Sequence, residues 1–212
     1  MTTPARPPAT LILLHGHDDD PALALEVARA MAGTAWNVVV PAGPVRTGND
    51  RRAWWRSDDD GAPVEADLAE SVAIVDDAIR VHAGTTPVVL GGFSQGGALA
   101  LSLALRRDPA AELADALAGA FAIGSWLPDL AGLEPDLERA AARRLPVLVG
   151  HGVDDEAVPL LLGRGAARLL DRGGVPVTYV ALDTGHELSP FTDAVHRWAV
   201  AVARGDVPSD PP

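Results

Sequence analysis

Gly92-Phe93-Ser94-Gln95-Gly96 follows the apolar run Pro87 to Leu90 and precedes an Ala/Leu-rich helical stretch, which is strand, sharp turn and helix in that order. A serine on such a turn stands clear of the backbone. Small residues are needed two positions before and after it, because a Cβ there would clash with chain passing close by. Both positions are glycine. A serine opening a helix is also an ordinary N-cap, so the pentapeptide has to be weighed by its company. A hydroxyl becomes a nucleophile when an imidazole takes its proton, and the imidazole needs a carboxylate to fix its tautomer and stabilise its cation. Downstream stand His151-Gly152-Val153-Asp154-Asp155 and then Gly185-His186, each after an apolar run, in the order serine, aspartate, histidine.

Of the six histidines, His186 alone lies after the last strand candidate in a short loop beside glycine. His82 and His196 fall on helical stretches, where a surface or satisfied-core role is expected, and His151 is placed to order the acid loop by hydrogen bonding. Spacing leaves Asp154 and Asp155 both open as the acid; Asp183, three residues before His186, reads as a structural turn residue. A tetrahedral intermediate also needs backbone N–H donors. One is expected from Gln95, the residue after the nucleophile, and the second from His17 in Leu14-His15-Gly16-His17. A metal site made of His15, His17 and Asp18 to Asp20 is the weaker reading, because Asp20-Pro21 already serves as a helix start.

The elements that must position these groups alternate. Thr10–Leu14, Asn37–Val40, Pro87–Gly91, Ala120–Ile123, Pro146–Gly150 and Val177–Leu182 are apolar runs of the kind buried on both faces of a parallel sheet. Between them helices are expected from Pro21, over Val64 to His82, Gln95 to Arg107 (stopping at Asp108-Pro109), Leu160 to Asp171 and Pro190 to Ala203. The order predicts an α/β fold with a mostly parallel sheet of about six to seven strands, helices on both faces and no large lid domain. Two irregular stretches, Pro41 to Ala62 and Ser125 to Arg144, both carry tryptophan; loops of that size in a compact domain are usually functional. One domain over residues 9–204 is expected, between a flexible N-terminus (1–8) and a flexible C-terminal tail (205–212).

Composition narrows the chemistry. The 212 residues include 29 acidic against 17 basic, a formal net charge of -12, which disfavours nucleic acid and anionic membrane surfaces as partners. There is no cysteine and no lysine, so disulfides, thiolate chemistry, a Walker-type phosphate loop and Schiff-base catalysis are all excluded. The first residues lack a long apolar run behind a basic flank, so a cytoplasmic protein without stable membrane insertion is expected. The acidic run Asp58 to Asp60 is taken as solubilising.

Taken together, the chain from about Leu11 to Trp198 resembles the phospholipase/carboxylesterase family of α/β-hydrolases, which includes bacterial carboxylesterases and acyl-protein thioesterases. The likeness rests on Leu14-His15-Gly16, Pro41 to Arg46, Ala53-Trp54-Trp55, Gly92 to Gly97, Ser125-Trp126-Leu127-Pro128, His151-Gly152 through Val158-Pro159, and Gly185-His186. It implies a Ser94, His186, Asp155 triad, the acid falling on Asp155 because the family's acid loop is followed by Val-Pro at this spacing. It also implies backbone donors at His17 and Gln95, and an acyl groove beside Trp54, Trp55 and Trp126. The chain departs from the family where Trp54-Trp55-Arg56 replaces the usual Trp-Phe-Asp, and where His17 replaces an apolar residue. The expected activity is hydrolysis of small carboxylic esters of short or medium acyl length through an acyl-enzyme, needing no cofactor and no metal. Alternatives are an acyl-protein thioesterase, a lysophospholipase, an amidase or peptidase using the same triad, or a binding protein that keeps the fold without turnover. Oligomeric state is not legible.

Overall fold

An apolar run of five or six aliphatic residues without alternation has two faces to bury, and only a sheet covered on both sides provides that. The computed structural model, which describes residues 9–107 and 111–208, has this architecture. The first half of the chain gives β1 (Thr10–Leu14), α1 (Pro21–Ala32), β2 (Asn37–Val39), β3 (Val45–Arg46), β4 (Arg52–Ala53), α2 (Glu65–His82), β5 (Val88–Phe93) and α3 (Gln95–Leu105). The second half gives α4 (Ala111–Asp115), β6 (Leu117–Ile123), α5 (Leu137–Ala142), β7 (Val147–Gly152), α6 (Leu160–Arg172), β8 (Val177–Leu182) and α7 (Thr192–Ala203). The expected N-terminal segment 1–8, the Asp108-Pro109 helix stop and the last four residues of the expected tail lie outside the described residues.

Six strands form one parallel sheet in the order β2-β1-β5-β6-β7-β8. Period-two alternation divides the core: Leu11 and Leu13 face α1 and α7 with Phe121 and Trp198, while Ile12 and Leu14 face α2 and α3 with Leu90 and Leu99. Every residue of α3 is buried, as expected of a helix apolar on all sides. At its end the buried Arg106 guanidinium meets both carboxylate oxygens of Asp76 at 3.0 and 2.9 Å, tying α3 to α2. The Asp20 side chain accepts the Ala22 N–H at 2.8 Å and so caps α1. No helix among the described residues is long and apolar enough to cross a membrane.

Strand order reverses between β1 and β5, the switch point where an open parallel sheet leaves a crevice at its carboxyl edge. Leu14 pairs with Gly92 in register. His15-Gly16-His17, which follows β1, and Phe93-Ser94, at the end of β5 and just beyond it, are therefore neighbours.

Candidate active site

Ser94 sits at φ 52°, ψ -121°, a backbone conformation that side chains rarely adopt. The surroundings dictate it. A Cβ on Gly92 would stand 2.3 Å from the Gly96 carbonyl, and one on Gly96 would stand 2.3 Å from the His15 carbonyl. Strand and helix thus approach backbone to backbone, and the loop after β1 is pressed onto the first turn of α3. The turn is pinned by the Ser94 N–H on the Ile123 carbonyl at 2.9 Å, and by the Ser125 hydroxyl donating to the Ser94 carbonyl at 2.7 Å.

The acid loop leaves β7 and the base loop leaves β8, which places both beside the serine turn across the sheet edge. His186 donates from Nδ1 to Asp155 Oδ2 at 2.7 Å, which leaves the Nε2 lone pair as the base of the ring. The imidazole lies against Phe93, centroids 4.6 Å apart, over the strand end that carries Ser94. Asp155 is enclosed, its carboxylate without exposed surface, and the other oxygen accepts the N–H groups of Ala157 (3.0 Å) and Val158 (2.8 Å). Its neighbour Asp154 is exposed. Of the two carboxylates that spacing left open, Asp155 is the one facing the histidine.

His15, buried and stacked on Trp54, orders the opposite side. Its Nδ1 donates to the Gly16 carbonyl at 2.7 Å and its Nε2 accepts the Gly43 N–H at 3.0 Å, so both neighbours require a neutral ring. Burial, the largest influence, pushes its pKa below the ordinary histidine value. Gly16 in turn donates to Asp19 at 3.2 Å, and no group of three or more potential metal ligands is assembled among the described residues. His82 and His196 lie on α2 and α7, the first 3.4 Å from the Asn37 amide and the second donating to the Met31 carbonyl at 2.7 Å.

A cavity of about 790 Å³ opens on Ser94 and Gln95, with His17, Trp55, Trp126 and Leu127 among its walls and Asp60 and Asp129 as its acidic groups. No arginine lines it. Trp54, expected in the groove, lies outside it: the side chain is fully buried and donates its indole N–H to the His15 carbonyl at 2.8 Å. Arg56 also turns away, forking onto Asp67 at 2.8 and 2.9 Å while its own N–H donates to the same carboxylate at 3.0 Å. That pairing holds the Asp67 carboxyl below the usual carboxylate range.

Sequence reasoning used only the backbone of Gln95 and missed its side chain, which accepts the Trp54 N–H and donates to the Trp55 carbonyl, both at 2.9 Å. It missed Ser71, whose hydroxyl donates to the Trp54 carbonyl, and the role of Ser125. Only the motif around Ser125 carried a signal in the sequence; the other two contacts join segments with no common pattern.

A strained serine turn, a carboxylate-held imidazole and a crevice at the switch point define the class: an α/β-hydrolase fold with a serine-hydrolase arrangement of side chains. The phospholipase/carboxylesterase family model matches residues 2–190, and the chain belongs to that family. Carboxylesterase SOBER1 of Arabidopsis thaliana is 30% identical over 135 residues, 61% of this chain and 56% of that protein. Acyl-protein thioesterase 1 of Cryptococcus neoformans is 28% identical over 181 residues, 76% of this chain and 72% of the relative. Among solved structures, Zea mays acyl-protein thioesterase 2 matches with TM-score 0.73 at 22% identity, covering 96% of this chain and 97% of that one. The Bacillus cereus carboxylesterase matches with TM-score 0.72 at 21% identity, covering 92% and 88%.

Proposed function

We propose that this protein hydrolyses carboxylic esters of short or medium acyl length, with Ser94 as nucleophile, His186 as general base and acid, and Asp155 as the carboxylate that orients it. The observation that carries the reading is the 2.7 Å hydrogen bond from His186 Nδ1 to the enclosed Asp155 carboxylate, beside a strained serine that opens into a cavity. Ser94 Oγ attacks the carbonyl carbon as its proton moves to His186 Nε2. The oxyanion takes hydrogen bonds from the N–H groups of His17 and Gln95. Collapse breaks the bond to the alcohol, which leaves with the proton from His186, and a water then repeats the sequence to release the acid. No step calls for a metal or a cofactor.

The substrates are small neutral or cationic esters, and thioesters share the same chemistry. A lysophospholipid is less suited: its phosphate would face Asp60 and Asp129 with no arginine among the described wall residues, on a molecule of net charge -12. Residues 9–204 are read as one domain, the location as cytoplasmic, and neither nucleic acid nor a bilayer as a stable partner.

The test is hydrolysis of p-nitrophenyl acetate, butyrate and octanoate by the wild type and Ser94→Ala. Loss of activity in the variant with butyrate at or above octanoate supports the reading. Activity that survives Ser94→Ala overturns it, and the same two proteins labelled with a fluorophosphonate separate a catalyst from a binding protein, whose Ser94 would react no faster than background.

A further inference from the structure

One buried imidazole has no part in these steps. His151, on β7, is fully enclosed. Its Nε2 lies 2.8 Å from the Val158 carbonyl, and a carbonyl only accepts, so Nε2 carries the hydrogen. The same atom is 3.4 Å from Oδ2 of Asp155, the oxygen that His186 uses. The other ring nitrogen, Nδ1, is buried and has no hydrogen-bond partner among the described residues. Leaving a buried polar atom unsatisfied costs about 1–3 kcal/mol. An aliphatic side chain would avoid that cost, so the ring has to be explained by what its Nε2 edge does. The opposite edge fits the helix behind it only because residue 163 is glycine: a Cβ there would stand 2.2 Å from Nδ1.

We propose that His151 is a positioning residue for Asp155, acting through the Val158 peptide; this rests on reading Asp155 as the acid of the triad. Val158 is gripped at both ends. Its carbonyl takes the His151 hydrogen, and its N–H donates to Asp155 Oδ1 at 2.8 Å. The rotation of the carboxylate about its own side chain is therefore set from a strand of the central sheet through Val158, with the Ala157 N–H sharing the hold on Oδ1 at 3.0 Å. Oδ1 is held toward the loop N–H groups, and Oδ2 is left toward His186. A carboxylate on the seven-residue loop between β7 and α6 would otherwise have several rotamers open to it, and only one of them presents an oxygen to the imidazole.

The experiment measures kcat/KM, and kcat and KM separately, for p-nitrophenyl butyrate across the pH range for wild type, His151→Gln and His151→Leu, with Ser94→Ala and His186→Ala as controls. His151→Leu is expected to fall by about 10- to 100-fold. The loss should fall on kcat with KM little changed, because the reacting groups are misplaced while the cleft stays. His151→Gln, whose side-chain N–H reaches toward the same carbonyl, should recover most of the rate. A wild-type profile in His151→Leu, or equal loss in both variants, overturns the proposal. If His151→Leu does not fold, Gly163→Ala decides, since its Cβ displaces the ring from behind with the imidazole still present; an unchanged profile there overturns the proposal as well. Activity surviving in both controls would instead bring down the triad reading on which this one stands, and the controls make that outcome recognisable.

Discussion

His15 is held in one tautomer from two sides, donating to Gly16 and accepting from Gly43, and burial keeps its pKa below 6.5. The sign of its contribution to stability follows. Above pH 6.5 the ring is neutral in folded and unfolded chains alike, and the full stability is present. As pH falls below 6.5 the unfolded chain takes up a proton that the folded one refuses, so stability is lost progressively until the depressed folded pKa is passed. Urea unfolding midpoints should therefore fall from pH 6.5 downward in the wild type, and His15→Gln should flatten that slope. An equal slope in both proteins would show that His15 is not the group responsible. The same ring shapes the loop that carries the proposed His17 donor, and because the folded ring refuses the proton over this interval, that loop should keep its form until the depressed folded pKa is reached.

At the scale of elements, the contact between the α3 start and the loop ahead of α2 decides the form of the cleft. Gln95 satisfies both the Trp54 N–H and the Trp55 carbonyl. Gln95→Leu, close in volume, is expected to cost about 1–3 kcal/mol by stranding those groups. It should raise KM more than it lowers kcat, because the wall loosens while the proposed catalytic groups stay; denaturant unfolding and initial rates check the two halves. The elements themselves were unevenly legible. Thr10–Leu14 and Val177–Leu182 coincide with β1 and β8: the first is an aliphatic run buried at every residue, the second an edge strand marked by its β-branched residues and Tyr179 although its burial alternates. The small antiparallel pair of β3 and β4, two residues each, is too short to show any period, and α5 is hidden in a stretch whose capping residue, Asp136, resembles any loop aspartate. Trp54 is placed beside the acyl groove by the family resemblance alone. What takes it inward is the His15 carbonyl, 39 positions away in sequence, and no local pattern announces such a bond.

For the whole molecule, the Arg106–Asp76 pair is the contact most exposed to loss. The guanidinium has no exposed surface and the carboxylate very little, so removing the Asp76 carboxylate takes two charged contacts from a buried cation. Asp76→Ala is expected to destabilise by about 3–5 kcal/mol, whereas replacing both residues with apolar ones of similar size should recover much of that loss. Denaturant unfolding of the single and double variants measures both. Below its melting temperature the single variant should keep wild-type kinetics, since neither residue lines the cavity.

The hold of Gln95 on both tryptophan peptides has an evolutionary consequence. One wall of the cleft is chained to the side chain of the residue after Ser94, so a substitution that reshapes that wall also strands the Gln95 amide. The facing wall carries Trp126 and Leu127 and starts at Ser125, whose hydroxyl holds the Ser94 carbonyl. Variation in what the cleft admits should accumulate in the two side chains beyond that anchor, and a library seeking new acyl specificity should be aimed at Trp126 and Leu127 and leave Trp54, Trp55 and Ser125 untouched.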